Sequence, residues 1–299
     1  MGTASDSDPL IGGLIGAPGP PSDVPPKLPR PPRATPPIFS WGAFTDRLET
    51  AGAVIVLAGR TIASAARPPY SYGSEFVAQF LFAVKLGWFP MIVSSFALAY
   101  GPSGTQAASF LSLFGALDRL GGLFSLAVIR EFAPLVCAIV MAGVAGTAIC
   151  ADLGARKIRE ELDALMVLGV DPIKSLVVPR FLALMAVTTL FDVYALAFGT
   201  LGGIAVSLVN GAPLGPFFAT YFENATTIEL VASFIKTALF GAIIAIACCY
   251  KGMTASGGAE GVGRAVNQAV VISFLAIGAF NYIFTQTLLA LFPELSLVR

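Results

Sequence analysis

Charged side chains crowd into one internal stretch of the chain, Ala151–Arg180, which reads ADLGARKIREELDALMVLGVDPIKSLVVPR between long apolar runs. Within two helical turns of this stretch lie Arg156, Lys157, Arg159, Glu160, Glu161 and Asp163. Guanidinium, ammonium and carboxylate groups at this density form charge-assisted hydrogen bonds, which is chemistry suited to holding a partner protein. We therefore predict a docking surface here; a solvated loop helix without a partner is the alternative.

The spacing within this stretch predicts one short amphipathic helix over Ala155–Leu168. Its apolar stripe is formed by Ile158, Leu162, Leu165 and Met166. Gly169 stands where a glycine commonly follows the last helical residue, and Asp171, followed by a proline, closes the segment. Two i,i+4 ion pairs, each contributing about 0.2–0.5 kcal/mol, are expected on this helix: Lys157–Glu161 and Arg159–Asp163.

A second charged feature, Arg130-Glu131, lies inside the apolar run LFSLAVIREFAPLV. Each charge at a bilayer centre costs about 2.5–3.5 kcal/mol on insertion scales, so such residues face a bundle interior or an aqueous cavity. One interpretation is a structural pair near the outer end of a span. The other is that Arg130 meets an anionic lipid headgroup in a cavity between subunits, oriented by Glu131, with Pro134 loosening the helix one turn later.

Composition indicates the elements that must position these groups. Charged residues make up 12 % of the chain, hydrophobic residues 56 %, and the mean hydropathy is +0.80. Because soluble domains carry roughly 25 % charged residues, we predict an all-α, polytopic membrane protein with about five transmembrane helices. Runs of about 20 mainly apolar residues occur at Pro90–Leu113, Leu123–Cys150, Leu176–Asn210, Ile228–Tyr250 and Ala265–Phe292.

Several chemistries are disfavoured by what the sequence contains. There is no histidine, the four cysteines lack zinc-site spacing, and no GxxxxGK[ST] motif occurs. We therefore predict no catalytic residue, no metal site and no cofactor bound by this chain. The net charge of zero gives no indication of a nucleic-acid partner.

Asp192 is a lone carboxylate in an apolar run, and Lys236 is the obvious candidate to pair with it.

The distribution of basic residues predicts the topology and the domains. The loop that follows Cys150 is rich in Lys and Arg, whereas the loop Gly211–Thr227 has neither. The positive-inside rule then places the N-terminus in the cytoplasm and the C-terminus outside. We expect a disordered, proline-rich cytoplasmic tail over residues 1–37, interfacial and elbow helices over 38–89 (Ser40–Ala66 and Ser74–Phe89), and a membrane-spanning domain over 90–299.

The charged stretch closely resembles the signature of the MlaE/YrbE permease family. The residues that match it in register are Gly154, Glu160, Asp163, Ala164, Gly169, Asp171, Pro172, Pro179 and Arg180. The likeness extends over roughly Tyr72–Val298, and its wording is most similar to an actinobacterial YrbE A-type subunit. Two positions depart from the pattern: Asp152 replaces the usual Glu, and Val144 stands where many relatives carry an intramembrane arginine.

This resemblance implies the membrane subunit of an ATP-driven, Mce-type lipid transporter in the bacterial inner membrane. ATP and Mg would then be bound by a separate MceG-like ATPase, docked on the helix 155–168 as a coupling helix. The implied partners are a paralogous YrbE B-type permease, extracytoplasmic Mce proteins, and lipid substrates such as imported fatty acids or sterols. The alternatives are a structural scaffold that anchors an extracytoplasmic Mce assembly, or a membrane enzyme of lipid metabolism, which the missing histidine disfavours.

Overall fold

The computed structural model describes residues 41–68 and 72–296, with side chains from Glu49 onward. The expected tail over residues 1–37 lies outside them. Backbone contacts divide the chain after Asp46, and the architecture below is that of the unit that begins at Arg47. Every regular element in the described part of the chain is helical, which confirms the all-α prediction.

Eight helices are named here in chain order: α1 Trp41–Ala65, α2 Gly73–Leu113, α3 Leu117–Ile158, α4 Glu161–Val167, α5 Ile173–Val209, α6 Leu214–Asn224, α7 Thr227–Met253 and α8 Gly258–Leu291. A single 3₁₀ turn, Pro293–Ser296, follows α8. Of these helices, α2, α3, α5, α7 and α8 are long and apolar enough to cross a membrane, which confirms the five predicted spans.

The first span begins earlier than the sequence predicts. The segment expected to form a separate elbow, Ser74–Phe89, is the first part of α2, and Pro90 lies within the helix. Membrane helices tolerate an internal proline because local adjustments satisfy the backbone groups that it frees. The Gly101–Gly104 break is likewise absorbed, by a wide π-helical turn over Ala99–Thr105 in which the Ser103 hydroxyl donates to the Leu98 carbonyl.

Two further wide turns interrupt α3, at Val128–Phe132 and Ala142–Gly146, and a third, Ile173–Val177, begins α5. Such turns leave backbone carbonyls available to side chains and often mark functional positions in helices. The first of them carries Arg130-Glu131, and the second contains Val144. The charged pair therefore stands at an irregular point of α3.

Helix α7 lies at the centre of the bundle, packed against α3, α5 and α8, while α2 packs along α5. The contact between α7 and α5 is close because Gly241 has no side chain: a Cβ there would lie 2.3 Å from Thr188 Oγ1. The helices α2 and α8 are largely exposed along their apolar lengths, whereas α3 and α7 are mostly buried. Exposed apolar faces on the outer helices are what a lipid environment accommodates.

The bundle has two ends, named here by the short helix at each. At the α4 end lie α4 and the turn between α7 and α8. The start of α8 approaches the end of α3 so closely there that a Cβ at Gly154 would lie 3.0 Å from the Val262 side chain. At the α6 end lies α6, a helix inside the segment Gly211–Thr227 that the sequence reading treated as a loop. It packs on α3, where a Cβ at Gly121 would overlap the Phe217 carbonyl.

Candidate functional site

The charged stretch forms two helices where one was predicted over 155–168. Helix α3 ends at Ile158, Arg159 leaves the helical conformation, and α4 begins at Glu161. The break lies at Glu160, whose backbone is left-handed with φ +60°. A non-glycine residue in that conformation costs roughly 1–2 kcal/mol, so the change of direction is held by the surrounding contacts.

The break changes which charges pair. The predicted i,i+4 pairs Lys157–Glu161 and Arg159–Asp163 are wrong, because those spacings no longer lie on one helix. Instead, Lys157 Nζ lies 2.9 Å from Asp163 Oδ2 and Arg159 Nε lies 2.7 Å from Glu161 Oε1. The hydrogen bond that Arg159 Nε donates to the Glu161 carboxylate raises the pKa of the exposed Arg159 guanidinium. The Lys157–Asp163 pair thus fastens α4 to the last turn of α3.

The C-terminus of α4 is as predicted. Gly169 has φ +75°, its N–H donates to the Met166 carbonyl, and the N–H of Val170 donates to the Leu165 carbonyl at 2.9 Å. This is a Schellman ending, which satisfies carbonyls that the helix leaves unpaired. Asp171 then accepts a hydrogen bond from the N–H of Ile173 at 2.9 Å, which starts α5.

The predicted apolar stripe does not form one face: some of its residues pack against the core and others are exposed. Leu162 is buried and Leu165 packs partly against the core. Met166, Val167 and Leu168 are 56 %, 88 % and 77 % exposed, and they form what we call the α4 tip. A contiguous exposed apolar group beside charged side chains is typical of a protein interaction site. The predicted docking residues Arg156, Lys157, Arg159, Glu160, Glu161, Asp163, Leu165, Gly169 and Asp171 all lie on or beside this helix.

Beneath α4 lies a buried arginine to which the sequence reading gave no role. Arg180, near the start of α5, is 1 % exposed and its Nη2 lies 2.7 Å from Asp152 Oδ2 of α3. Its Nη1 donates to the Leu176 carbonyl at 2.8 Å. Asp152 also accepts from Arg156 Nε at 3.2 Å, and Glu75 of α2 lies 3.8 Å from the Arg180 guanidinium. The match of Arg180 to the family signature was the only signal for this cluster, and Asp152 stands where that signature usually has Glu.

Arg130 and Glu131, the charged residues that the sequence places inside a span, each form an ion pair with a residue of α7. Arg130 Nη2 donates to the carboxylate of Glu229, at the start of α7, and to the Leu295 carbonyl at 2.7 Å. The Glu229 side chain is 1 % exposed and that of Arg130 is 16 % exposed. Burial at this level requires a partner for each charge, and Glu229 was not identified from the sequence.

Glu131, next to Arg130, forms its own ion pair with a different residue of α7. Lys236 Nζ of α7 lies 3.2 Å from Glu131 Oε2, which also accepts from Asn281 Nδ2 at 2.8 Å. The hydroxyl of Thr285 in α8 donates to Glu131 Oε1 at 2.6 Å. Two ion pairs whose charges sum to zero therefore join α3 to α7, and the hydrogen bonds of Asn281 and Thr285 attach α8 to them.

Pro134 explains part of this geometry. It has no N–H to offer the carbonyl of Arg130, four residues earlier, and Lys236 Nζ donates to that carbonyl at 2.9 Å instead. The Lys236 ammonium thus serves a freed backbone carbonyl and a carboxylate at once. Because Lys236 is engaged here, the suggested pairing of Asp192 with Lys236 is wrong: the Asp192 carboxylate accepts from Ser233 Oγ at 2.7 Å.

The wide turn Val128–Phe132 borders two cavities. One is narrow and is lined by Arg130, Glu229, Ala232, Ser233, Lys236, Phe284, Thr285 and Leu288. The other is an open, apolar space of about 220 Å³ lined by Ser103, Ala107, Leu123, Phe124, Ala127, Val128 and Phe132. Ligand pockets for drug-sized molecules measure about 300–1,000 Å³, so neither cavity of the single chain would enclose a lipid.

Groups suited to metal binding or covalent chemistry are not assembled in the part of the chain that the structure describes. No three His, Cys, Asp or Glu side chains within those residues are placed to hold a metal ion. Cys137, Cys150, Cys248 and Cys249 are free and buried, and buried thiols of this kind pack as small apolar groups.

Five spans with ion pairs buried between them and a charged helix at one end define a polytopic membrane protein. The family described as Permease MlaE matches residues 76–287, which is most of the chain, and the chain belongs to that family. It is therefore an ABC transporter permease of the MlaE type, as the sequence resemblance predicted.

Its relatives carry related descriptions. A probable ABC transporter permease protein of Synechocystis sp. is 39 % identical over 178 residues, which cover 59 % of this chain and 68 % of the relative. A probable ABC transporter permease protein of Rickettsia bellii is 30 % identical over 251 residues, covering 83 % and 95 %. The intermembrane phospholipid transport system permease protein MlaE of Haemophilus influenzae is 29 % identical over 184 residues, covering 61 % and 70 %.

Proposed function

We propose that this chain is the permease subunit of an ATP-driven lipid transporter, and that a separate cytoplasmic ATPase docks on the α4 tip. The observation that carries the proposal is the exposed apolar tip of Met166, Val167 and Leu168, held on α3 by the Lys157–Asp163 pair. A helix that was merely solvated would gain nothing from exposing three apolar side chains. Membership of an ABC permease family supplies the class of partner that would cover them.

We further propose that the lipid passes beside Arg130 at the α6 end. The wide turn that carries Arg130 and Glu131 borders both the polar cavity and the apolar one, so headgroup and acyl chain would find matching surfaces. Arg130 Nε is buried without a hydrogen-bond partner among the described residues. An anionic headgroup could use that donor and compete with Glu229 for the guanidinium, while Glu131 and Pro134 fix the turn.

The remaining partners follow from the same proposal. Because neither cavity beside Arg130 is large enough for a lipid, we propose a second permease, a YrbE B-type paralogue, that completes the enclosure. The α4 end would face the cytoplasm, the C-terminus the outside, and Mce proteins would cover the α6 end. Fatty acids, sterols or related lipids entering the cell are the proposed cargo, and the phospholipid transport name of the Haemophilus relative supports a lipid as substrate.

Docking on α4 is tested by co-purification of the ATPase with charge-reversed or tip-altered variants. We expect Val167→Asp and Glu160→Lys to reduce recovery of the ATPase, because both side chains are exposed and neither carries a described internal ion pair. Asp163→Lys should do the same but also breaks the Lys157 pair. Glu260→Lys, on the exposed start of α8 at the same end, is the matched control. If Val167→Asp, Glu160→Lys and Asp163→Lys all recover as much ATPase as the Glu260→Lys control, the docking assignment is refuted.

The lipid route is tested by Arg130→Ala in the assembled complex. We expect lower lipid transfer. The Lys236–Glu131 pair still joins α3 to α7, and adding Glu229→Gln removes the carboxylate that Arg130→Ala leaves unpaired, so the double variant should assemble and show the same loss of transfer. Arg264→Ala, which removes an exposed arginine from α8, is the control for loss of a positive charge. If the Arg130→Ala complex transfers lipid at the wild-type rate, Arg130 has a purely structural role and the proposed lipid route is refuted.

A further inference from the structure

The buried Arg180 joins three helices at the α4 end. Its guanidinium is anchored to α5 by the Leu176 carbonyl, bonds Asp152 of α3 at 2.7 Å, and has Glu75 of α2 at 3.8 Å. Both carboxylates approach the same nitrogen, Nη2, so a relative movement of about 1 Å would exchange one partner for the other. A buried guanidinium with two carboxylates in reach can pair with either of them, and coupling between sites requires an element that has two such arrangements.

Asp152 also connects this arginine with α4. Helix α4 packs mainly on the last turns of α3, and the backbone between them is broken at Glu160. A force on α4 therefore reaches the bundle through side chains on the end of α3, beginning with Lys157. Arg156, its neighbour, bonds Asp152, and Asp152 bonds Arg180.

We propose that Asp152 is a positioning residue whose carboxylate, shared by Arg156 and Arg180, passes movement of α4 to α5 and α2. The inference rests on the proposed function, because it requires an ATPase acting on α4. In one arrangement Arg180 holds α3 through Asp152, and in the other it holds α2 through Glu75. Exchange of the two partners lets α3 move relative to α2 without leaving the buried guanidinium unpaired.

The test measures lipid transferred per ATP hydrolysed by the permease–ATPase complex reconstituted in lipid vesicles. Coupling between sites typically amounts to about 5–150-fold, so we expect Asp152→Ala to lower this ratio at least about five-fold. ATP hydrolysis and ATPase recovery should stay near the wild-type values. A merely structural defect would lower hydrolysis, recovery and transfer together and leave the ratio unchanged.

Three further variants guard against a folding defect. Asp152→Glu retains the carboxylate and should restore the ratio. The double variant Asp152→Leu/Arg180→Met replaces the pair with apolar side chains, a change that commonly preserves stability, and it should remain assembled yet poorly coupled. Arg156→Gln removes the side chain through which movement of α4 reaches the Asp152 carboxylate, so it should lower the ratio as well.

The outcomes separate the two proposals. If the wild-type complex shows no ATP-dependent lipid transfer, the proposed function fails. If the wild type transfers lipid and Asp152→Ala or the double variant keeps the wild-type ratio, the role of Asp152 is overturned while the proposed function stands. A lowered ratio in both variants with rescue by Asp152→Glu supports the inference.

Discussion

Replacing Lys236 by methionine removes one charge from one of the two ion pairs that join α3 to α7. The Lys236 side chain is 2 % exposed, and its ammonium lies 3.2 Å from Glu131 Oε2, 2.9 Å from the Arg130 carbonyl and 3.0 Å from Thr285 Oγ1. Methionine keeps the length of the side chain without its charge or donors. The variant would leave Glu131 as an uncompensated charge and the Arg130 carbonyl without the donor that stands in for Pro134.

The expected cost follows from the geometry. Removing one partner of a buried ion pair destabilises proteins by about 3–5 kcal/mol. Glu131 keeps the hydroxyl of Thr285 and the amide of Asn281, and its side chain is 31 % exposed, so we expect the lower limit, about 3 kcal/mol. At about 2–4 °C per kcal/mol for a chain of this size, the midpoint of thermal unfolding should fall by about 6–12 °C.

The assay is thermal unfolding of the purified permease in one detergent, followed by loss of the monodisperse size-exclusion peak. A double variant, Lys236→Met with Glu131→Leu, should recover most of the loss, because it removes both charges together. Lys251→Met is the matched control: its ammonium bonds Gln268 at the exposed end of the same helix, and it should shift the midpoint by less than about 2 °C. A fall of under about 2 °C for Lys236→Met, or a double variant worse than the single one, would refute this account.

Two other substitutions test the packing and the helix ends. Gly241→Ala should lower stability by about 1–3 kcal/mol, because the new Cβ would lie 2.3 Å from Thr188 Oγ1; an unchanged midpoint of thermal unfolding would contradict the close contact of α7 with α5. Gly169→Ala should cost about 1–2 kcal/mol at the end of α4, where φ is +75°, and should speed amide hydrogen exchange within α4 while exchange in α7 stays the same.

The five spans could be predicted from the sequence because each is an apolar run long enough to cross a bilayer. Their ends could not be predicted as well, since lipid-facing helices continue through residues that stop soluble ones: Pro90 lies inside α2, and Gly101–Gly104 forms a wide turn. Helix α6 was missed because its segment lies between two spans and was judged by its charge alone. Its location depends on glycines of α3 far away in the sequence.

The partners of the buried charges were beyond sequence reasoning for a different reason. Lys236 lies one turn or so from Ser233 on α7, and only the rotation of that helix decides whether it faces Asp192 or Glu131. Likewise, hydrophobic spacing predicts a helix over 155–168 but does not reveal the left-handed residue at Glu160. The position of Gly169 was predictable because the Schellman ending is a local pattern that requires no distant contact.

The two ion-pair clusters differ in a way that bears on how the bundle can move. At the α6 end, Lys236 and Glu229 are almost fully enclosed, and each opposing charge has further hydrogen bonds, so separating α3 from α7 there would strand buried charges. At the α4 end, the carboxylates that serve Arg180 are 43 % exposed for Asp152 and 38 % for Glu75. Water can solvate whichever carboxylate is released, which lowers the cost of exchange.

A force applied at α4 should therefore shift α2 relative to α3 at that end while α3, α7 and α8 stay together at the other. Distances between spin labels across α2 and α3 should then change on ATP binding by the complex, and those across α3 and α7 at the α6 end should not; equal changes at both ends would refute this division.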